Sequence, residues 1–166
     1  EIQATPFALR DVVQHVSDLV VHSVQAKGLD YSVSIAPQMQ SSFIGDGPRL
    51  MQALLNLVSN AVKFTTKGEV TLSARWIDQK LVVGVRDTGV GIAPHVQEVV
   101  FERFRQATSF VTREHGGTGL GLALVREFIK LMEGELHLTS QLGLGSYFEL
   151  SVPELNQAER VANLDH

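Results

Sequence analysis

Three polar side chains recur at helical spacing in an apolar segment near the middle of the chain. Asn56, Asn60 and Lys63 lie within the run LNLVSNAVKFT at residues 55–65. Residues three and four apart are neighbours on a helix, so this spacing predicts that the three side chains share one helical face. Each residue alone is more often a satisfied amide or a solvated lysine. Together they favour a metal-bound polyphosphate, because amide oxygens ligate hard cations and an ammonium contacts phosphate oxygens.

A carboxylate ends an apolar strand pattern and opens a glycine-rich turn. Asp87 begins the sequence DTGVG, which contains Gly89 and Gly91. A carboxylate at this position can accept a hydrogen bond from an exocyclic amine such as that of adenine. The alternative is an Asx turn that only starts a loop, since such turns are common at strand ends. The two glycines indicate an unusual backbone but do not identify a ligand.

A second glycine-rich turn, GGTGLGL at residues 116–122, leads into a predicted helix. Its backbone N–H groups and the helix N-terminus are suited to holding a phosphate. The spacing is not the GxGxxG of dinucleotide sites, and the turn follows a long loop, not a strand. No GxxxxGK[ST] sequence is present, so a P-loop is excluded.

Between the two turns, residues 88–118 form a long segment that contains glycine, proline and charged residues. A loop of this length inside a compact domain is typical of a functional lid or of disorder. Phe101 and Phe104 in the sequence FERF either form a small apolar cluster under the loop or act as a hinge that closes over nucleotide. Arg103 can bind a terminal phosphate bidentately, as can Arg105 and Arg113, although most arginines in such loops are only solvated.

The hydrophobic patterns predict the elements that position these residues. Helices are predicted at residues 9–27, 48–64 and 120–132, and strands at 31–35, 70–76, 81–85, 136–138 and 147–150, with a short edge strand at 6–7, an extended segment at 41–45 and a tight turn at 78–79. Three helices on one face of a mixed sheet of about five strands make a two-layer α/β sandwich.

The composition is that of an ordinary globular domain. A length of 166 residues with 44% hydrophobic side chains is enough for one core, and we expect residues 1–153 to form that domain and 154–166 a polar tail or linker. A net charge of −4 gives no general attraction to nucleic acid or to an anionic membrane. The absence of cysteine excludes disulfides and thiolate metal sites, and none of the six histidines has a partner at metal-ligand spacing.

Taken together, the motifs resemble the ATP-binding catalytic domain of sensor histidine kinases. LNLVSNAVKFT resembles their asparagine box, DTGVGI the first glycine box, FERF the phenylalanine box and GGTGLGLALV the second glycine box, in the family's order. The resemblance extends from PFALRDVV to about Pro153, and GDGPRLMQALLN is similar to hybrid sensor kinases. It implies the Bergerat ATP-binding fold, which is shared with gyrase, MutL and Hsp90-type ATPases.

The resemblance also implies a role for each matching position. Asn60 is implied as the Mg²⁺ ligand and Asp87 as the carboxylate that binds adenine. Lys63 and Arg103 are implied as cations that contact phosphate, and Asn56 as the residue that orients the reaction. The further nucleotide-binding positions that it implies are Phe64, Gly89, Gly91, Ile92, Phe101, Phe104, Gly117, Thr118, Gly119, Leu120, Gly121 and Leu122.

The activity implied is transfer of the γ-phosphate of Mg·ATP to a histidine on a separate dimerisation domain. The implied partners are that phosphoacceptor domain and a downstream receiver domain or response regulator, with no nucleic acid and no direct membrane contact. The implied setting is the cytoplasmic part of an inner-membrane-anchored sensor. No histidine here lies in the family's H-[ED]-x-[RL] phosphoacceptor motif, so we expect the catalytic domain alone.

Two other functions remain possible from the sequence. A hydrolytic ATPase needs a base that activates water, but Asn56 stands where the ATPase relatives carry a glutamate, and an amide takes no proton at neutral pH. The other is a binding module that holds ATP only as a structural ligand, against which the intact motifs argue.

Overall fold

The computed structural model describes residues 2–97 and 119–155. Its elements in chain order are β1 (Thr5–Phe7), α1 (Leu9–Lys27), β2 (Asp30–Ile35), β3 (Phe43–Gly45), α2 (Gly47–Phe64), β4 (Glu69–Ile77), β5 (Lys80–Asp87), α3 (Pro94–Gln97), α4 (Gly119–Leu131), β6 (Glu135–Gln141) and β7 (Gly145–Pro153). The three long helices and five main strands expected from the periodicities are all confirmed.

Five strands form one mixed sheet in the order β2-β4-β5-β7-β6. β2 runs parallel to β4, and the other three pairs are antiparallel. β1 and β3 pair separately as a small antiparallel ribbon. Asp78 and Gln79 join β4 to β5 with φ angles of 52° and 65°, which is the left-handed geometry that a two-residue hairpin turn requires.

α2 is the helix around which the helical layer is built, because it contacts α1, α4 and strands β4 and β5. Asp46 caps its N-terminus, accepting a hydrogen bond from the Arg49 backbone N–H at 3.1 Å. The buried face of α2 consists of Leu50, Ala53, Leu54, Leu57, Val58, Ala61 and Val62. These side chains pack on the sheet and leave the polar stripe of the helix on its other side.

One expectation about the loop after β5 needs correction. No helix or strand is predicted within residues 88–118, but Pro94–Gln97 forms the single helical turn α3. Its backbone N–H groups at Val96 and Gln97 donate to the Ala93 carbonyl at 2.9 and 3.0 Å, and a proline suits a first helical position. The remainder of the predicted lid, residues 98–118, lies outside the described residues.

The chain remains hydrogen-bonded to the ribbon after β7 ends. The Leu155 N–H donates to the Ile44 carbonyl at 2.9 Å, and a Glu154 carboxylate oxygen accepts from the Ile44 N–H at 2.9 Å. The first two residues of the expected polar tail are therefore held against β3. Across the described ranges, no helix combines the length and hydrophobicity needed to cross a membrane.

Candidate functional site

The polar stripe of α2 consists of the amides and the ammonium singled out by their spacing. Asn56 and Asn60 are half-buried, and Lys63 is exposed in the last turn. The Asn56 amide oxygen accepts a hydrogen bond from Gln52 at 3.3 Å. The Asn60 carboxamide makes no hydrogen bond to any other residue within 2–97 and 119–155. An amide in that state is suited to meet a ligand from outside the helix.

Asp87 is a buried carboxylate at the end of a core strand. It is 7% exposed and follows the buried Val83 and Val85 at every second position of β5, so it lies with them on the sheet face that packs against α2. Its Oδ1 accepts the Gly89 N–H at 2.9 Å. Burial raises the pKa of Asp87, and hydrogen bonds from the backbone N–H groups of Gly89 and Ser146 oppose that shift.

The hydrogen bond to Gly89 is the Asx turn that was the alternative explanation of Asp87. An Asx turn accounts for the local geometry but does not require a buried side chain. A carboxylate held in a dry position with a raised pKa is costly, and such groups cluster at functional sites. The burial of Asp87, more than its turn, therefore makes it a candidate functional residue.

Gly89 and Gly91 allow the DTGVG loop to pack closely against protein on two sides. A Cβ on Gly89 would clash with the Phe64 carbonyl at the end of α2. Gly91 has a φ of +74°, and a Cβ there would clash with the Gln141 carbonyl at the end of β6. Protein packing accounts for both glycines, whether or not their backbone also approaches a nucleotide.

The loop on both sides of Gly91 is held by hydrogen bonds to the end of β6 and to the turn that follows it. The Ile92 N–H donates to the Ser140 hydroxyl at 2.8 Å, and the Gln97 amide donates to the Ile92 carbonyl at 2.6 Å. The Gly143 N–H donates to the Val90 carbonyl at 2.7 Å. The part of the predicted lid that the structure describes is therefore tied to the sheet.

The other predicted site residues fall into three groups. Phe64 and Ile92 are half-buried beside the loop. Gly119, Leu120 and Gly121 form the first turn of α4, whereas Leu122 is 5% exposed and belongs to the hydrophobic core, so packing accounts for its side chain. Phe101, Arg103, Phe104, Gly117 and Thr118 lie outside the described residues.

Sequence reasoning missed the groups that support Asp87 and the loop. Ser146 supplies one of the two backbone N–H groups on the carboxylate, and Ser140 anchors Ile92. Both depend on strand register, in which Asp87 pairs with Ser146 across β5 and β7. The hydroxyls of Ser140 and Ser146 are also 2.8 Å apart, so the two serines form one linked support.

The donor set of the site fits a metal held mainly by phosphate. In the described part of the chain, no group of three or more histidine, aspartate or glutamate side chains is placed to hold a metal ion. Mg²⁺ in nucleotide sites keeps several waters and takes only one or two protein groups beside the phosphates. The half-buried amide of Asn60 is a suitable single ligand of that kind.

Comparison with protein families places most of this chain within one group of ATPases. The family model that matches residues 45–156 is described as "Histidine kinase-, DNA gyrase B-, and HSP90-like ATPase". The signal transduction histidine-protein kinase BarA of Escherichia coli is 38% identical over 152 residues, which are 89% of this chain and 17% of BarA. The autoinducer 2 sensor kinase/phosphatase LuxQ of Vibrio cholerae is 36% identical over 156 residues, covering 92% of this chain and 18% of LuxQ.

Solved structures show the same fold. Full-length ShkA in complex with AMPPNP superposes with a TM-score of 0.82 at 32% identity, over 94% of this chain and 32% of ShkA. The catalytic domain of the histidine kinase ThkA superposes with a TM-score of 0.78 at 24% identity, over 92% of this chain and 96% of that domain. This chain thus spans less than a fifth of BarA and LuxQ but nearly all of a separately solved catalytic domain.

Proposed function

Because this chain belongs to the histidine kinase-, DNA gyrase B- and HSP90-like ATPases, we propose that it binds Mg·ATP and transfers the γ-phosphate to a histidine on a separate dimerisation domain. The observation that carries the proposal is Asp87. This carboxylate is buried on the sheet face that packs against α2, and its loop is docked on the end of the helix that bears Asn60.

Asp87 recognises the base in this proposal. Its carboxylate accepts from the exocyclic amine of adenine, and the N–H groups of Gly89 and Ser146 hold the carboxylate in place. Asp87 is buried, so this hydrogen bond contributes more than it would at the surface. Ile92 and Phe64 supply nearby apolar surface, which suits a purine ring.

In this proposal, the polar stripe of α2 binds the phosphates and their metal ion. Asn60 would hold Mg²⁺, which supplies charge neutralisation on the phosphate oxygens when bound. Lys63, with Arg103 from the segment outside the described residues, adds positive charge. Phosphoryl transfer is catalysed mainly by positioning the reactants and neutralising charge, and these groups can do both. Phe101 and Phe104 would help the lid to exclude water.

Asn56 favours transfer to another group over hydrolysis. Its amide oxygen accepts the Gln52 hydrogen bond, and an amide cannot remove a proton from water at neutral pH. The nucleophile in our proposal is the imidazole of the acceptor histidine, which needs no such base. Asn56 therefore orients a neighbouring group and does not activate water.

The partners follow from the same proposal. The relatives are much longer chains, so we infer a parent two-component protein with a dimerisation domain and a receiver domain or separate response regulator. Anchoring of that parent in an inner membrane, with this domain on the cytoplasmic side, is part of the proposal. We also propose that residues 154–166 act as a linker after the catalytic domain.

A phosphotransfer assay tests the proposal directly. The 166-residue chain is incubated with γ-labelled ATP and Mg²⁺, alone and with the separately supplied dimerisation domain of BarA. We expect acid-labile label on the dimerisation domain and none on the chain itself. Asn60→Ala is the negative control, and Ser59→Ala, an exposed neighbour on the same helix, is the matched variant.

Each other outcome identifies a different function. Phosphate release without an acceptor would indicate a hydrolytic ATPase. Nucleotide binding with neither release nor transfer would indicate a binding module. Acid-labile label on the chain alone would show that it carries its own phosphoacceptor histidine.

A further inference from the structure

The C-terminal turn of α2 is held by donors from three parts of the chain. A helix leaves its last four carbonyls without partners inside the helix. In α2, the carbonyl of Ala61 accepts from the Thr65 hydroxyl at 2.7 Å, those of Val62 and Lys63 accept from the Lys27 ammonium at 2.6 and 2.9 Å, and that of Phe64 accepts from the Val90 N–H at 3.3 Å.

Lys27 makes the largest contribution from outside the helix. It is the last residue of α1, and its ammonium donates hydrogen bonds to two successive carbonyls of α2. A helix C-terminus carries a partial negative charge, which a cation at that end offsets. Burial lowers the pKa of Lys27, as expected for an ammonium drawn against the protein.

This turn joins the two halves of the proposed site. Asn60 and Lys63, on the phosphate side, lie in or next to it. Val90, which bonds to its last carbonyl, belongs to the loop opened by Asp87 on the adenine side. A shift of the turn would therefore move the phosphate-side groups relative to a base that Asp87 holds.

We propose that Lys27 is a positioning residue for the phosphate side of the nucleotide site. It fixes the turn that presents Asn60 and Lys63, and it offsets the negative helix end that would otherwise lie close to the polyphosphate. The proposal rests on the nucleotide-binding function proposed above. It has a specific consequence: loss of Lys27 weakens ligands in proportion to their phosphates and leaves adenosine binding unchanged.

The test compares two ligands across a set of variants. Affinities for Mg·AMPPNP and for adenosine are measured by NMR titration of the 166-residue chain. Lys27→Met should weaken Mg·AMPPNP about three- to tenfold and change adenosine affinity by less than about twofold. Lys27→Arg, which keeps charge and donors, should restore binding of Mg·AMPPNP. Lys27→Gln, which keeps only donors, should restore it in part.

Lys130→Met is the matched control, because Lys130 also lies exposed in the last turn of a helix, α4. It should leave both affinities unchanged. An equal loss of both ligands in Lys27→Met would overturn the positioning role and indicate support of the fold alone, and unchanged affinities would overturn it too. If Lys27→Met does not fold, the Arg and Gln variants decide. Failure of the unaltered chain to bind Mg·AMPPNP would instead refute the proposed function, and this inference with it.

Discussion

Asp87→Asn should reduce ATP affinity while leaving the domain at least as stable as before. The substitution keeps the size of the side chain and one acceptor oxygen. It removes the negative charge from the group that accepts the hydrogen bond of the adenine amine. A hydrogen bond to a charged group contributes about 1.5–3 kcal/mol. We therefore expect Mg·ATP to bind about 10- to 150-fold more weakly.

The stability effect has the opposite sign, and its direction follows from the raised pKa. A carboxyl whose pKa is higher in the folded chain binds its proton more tightly there than in the unfolded chain. Its stabilising contribution is present below the ordinary pKa and is lost as the pH rises through the raised value. Ionised Asp87 therefore lowers the free energy of unfolding at neutral pH, and a neutral asparagine removes that cost.

Base preference provides the sharpest readout of the role of Asp87. Guanine presents a carbonyl oxygen where adenine presents its amine, and an asparagine can donate to that oxygen. The GTP-to-ATP affinity ratio should therefore rise in Asp87→Asn. The assays are calorimetric titration with Mg·ATP and Mg·GTP, and chemical denaturation at neutral and acidic pH, where the stability difference should shrink.

Asp78→Asn is the matched control, because it removes the same charge at the exposed turn between β4 and β5. It should change neither base preference nor ATP affinity. Equal losses for ATP and GTP in Asp87→Asn, or an unfolded variant, would refute the adenine role. The Asx-turn explanation of Asp87 would then be sufficient.

Three further predictions test other parts of the molecule. Asn60→Ala should abolish the Mg²⁺ dependence of nucleotide binding and leave the melting temperature unchanged, whereas Ser59→Ala should retain that dependence; calorimetry with and without Mg²⁺ decides. Asp46→Ala should lower the free energy of unfolding by about 1–3 kcal/mol at neutral pH, because it removes a helix cap and a partly buried ion pair with Arg49. Burial alone would raise the pKa of Asp46, but hydrogen bonds from two backbone N–H groups and from the Arg49 guanidinium lower it. The stability that ionised Asp46 contributes is therefore lost as the pH falls through the lowered pKa. The stability difference between Asp46→Ala and the unaltered chain should shrink in acid. Hydrogen exchange over residues 94–116 should slow when a Mg·ATP analogue binds, while residues 70–85 stay protected in both states; equal protection of residues 94–116 in both states would exclude lid closure.

The elements of this domain could be predicted because their hydrophobic periods are long. α1, α2 and α4 each repeat their apolar positions over several turns. Before the turn at Asp78, β4 alternates buried with more exposed positions, and after it β5 carries apolar residues at every second position from Leu81 to Val85. α3 could not be predicted this way, since four residues are barely one helical period. α3 is held by the N–H groups of Val96 and Gln97, which both donate to the Ala93 carbonyl.

The candidate site was only partly predictable. The spacing of Asn56, Asn60 and Lys63 is a property of one helix and is visible in the sequence. The burial of Asp87 and its contact with Ser146 depend on the pairing of β5 with β7, which brings together residues far apart in the chain. The close packing that explains Gly89 likewise depends on the end of α2 and cannot be read from the loop alone.

β3 brings the two ends of the described chain together. Ile44 pairs with Pro6 of β1 on one side and exchanges hydrogen bonds with Glu154 and Leu155 on the other. Chain entry and chain exit thus share one corner of the domain, as in modules that tolerate insertion into a host protein or circular permutation. Because Lys80 of β5 pairs with Pro153 and Asp87 pairs with Ser146, this corner and the candidate nucleotide site lie at opposite ends of the β5–β7 pair.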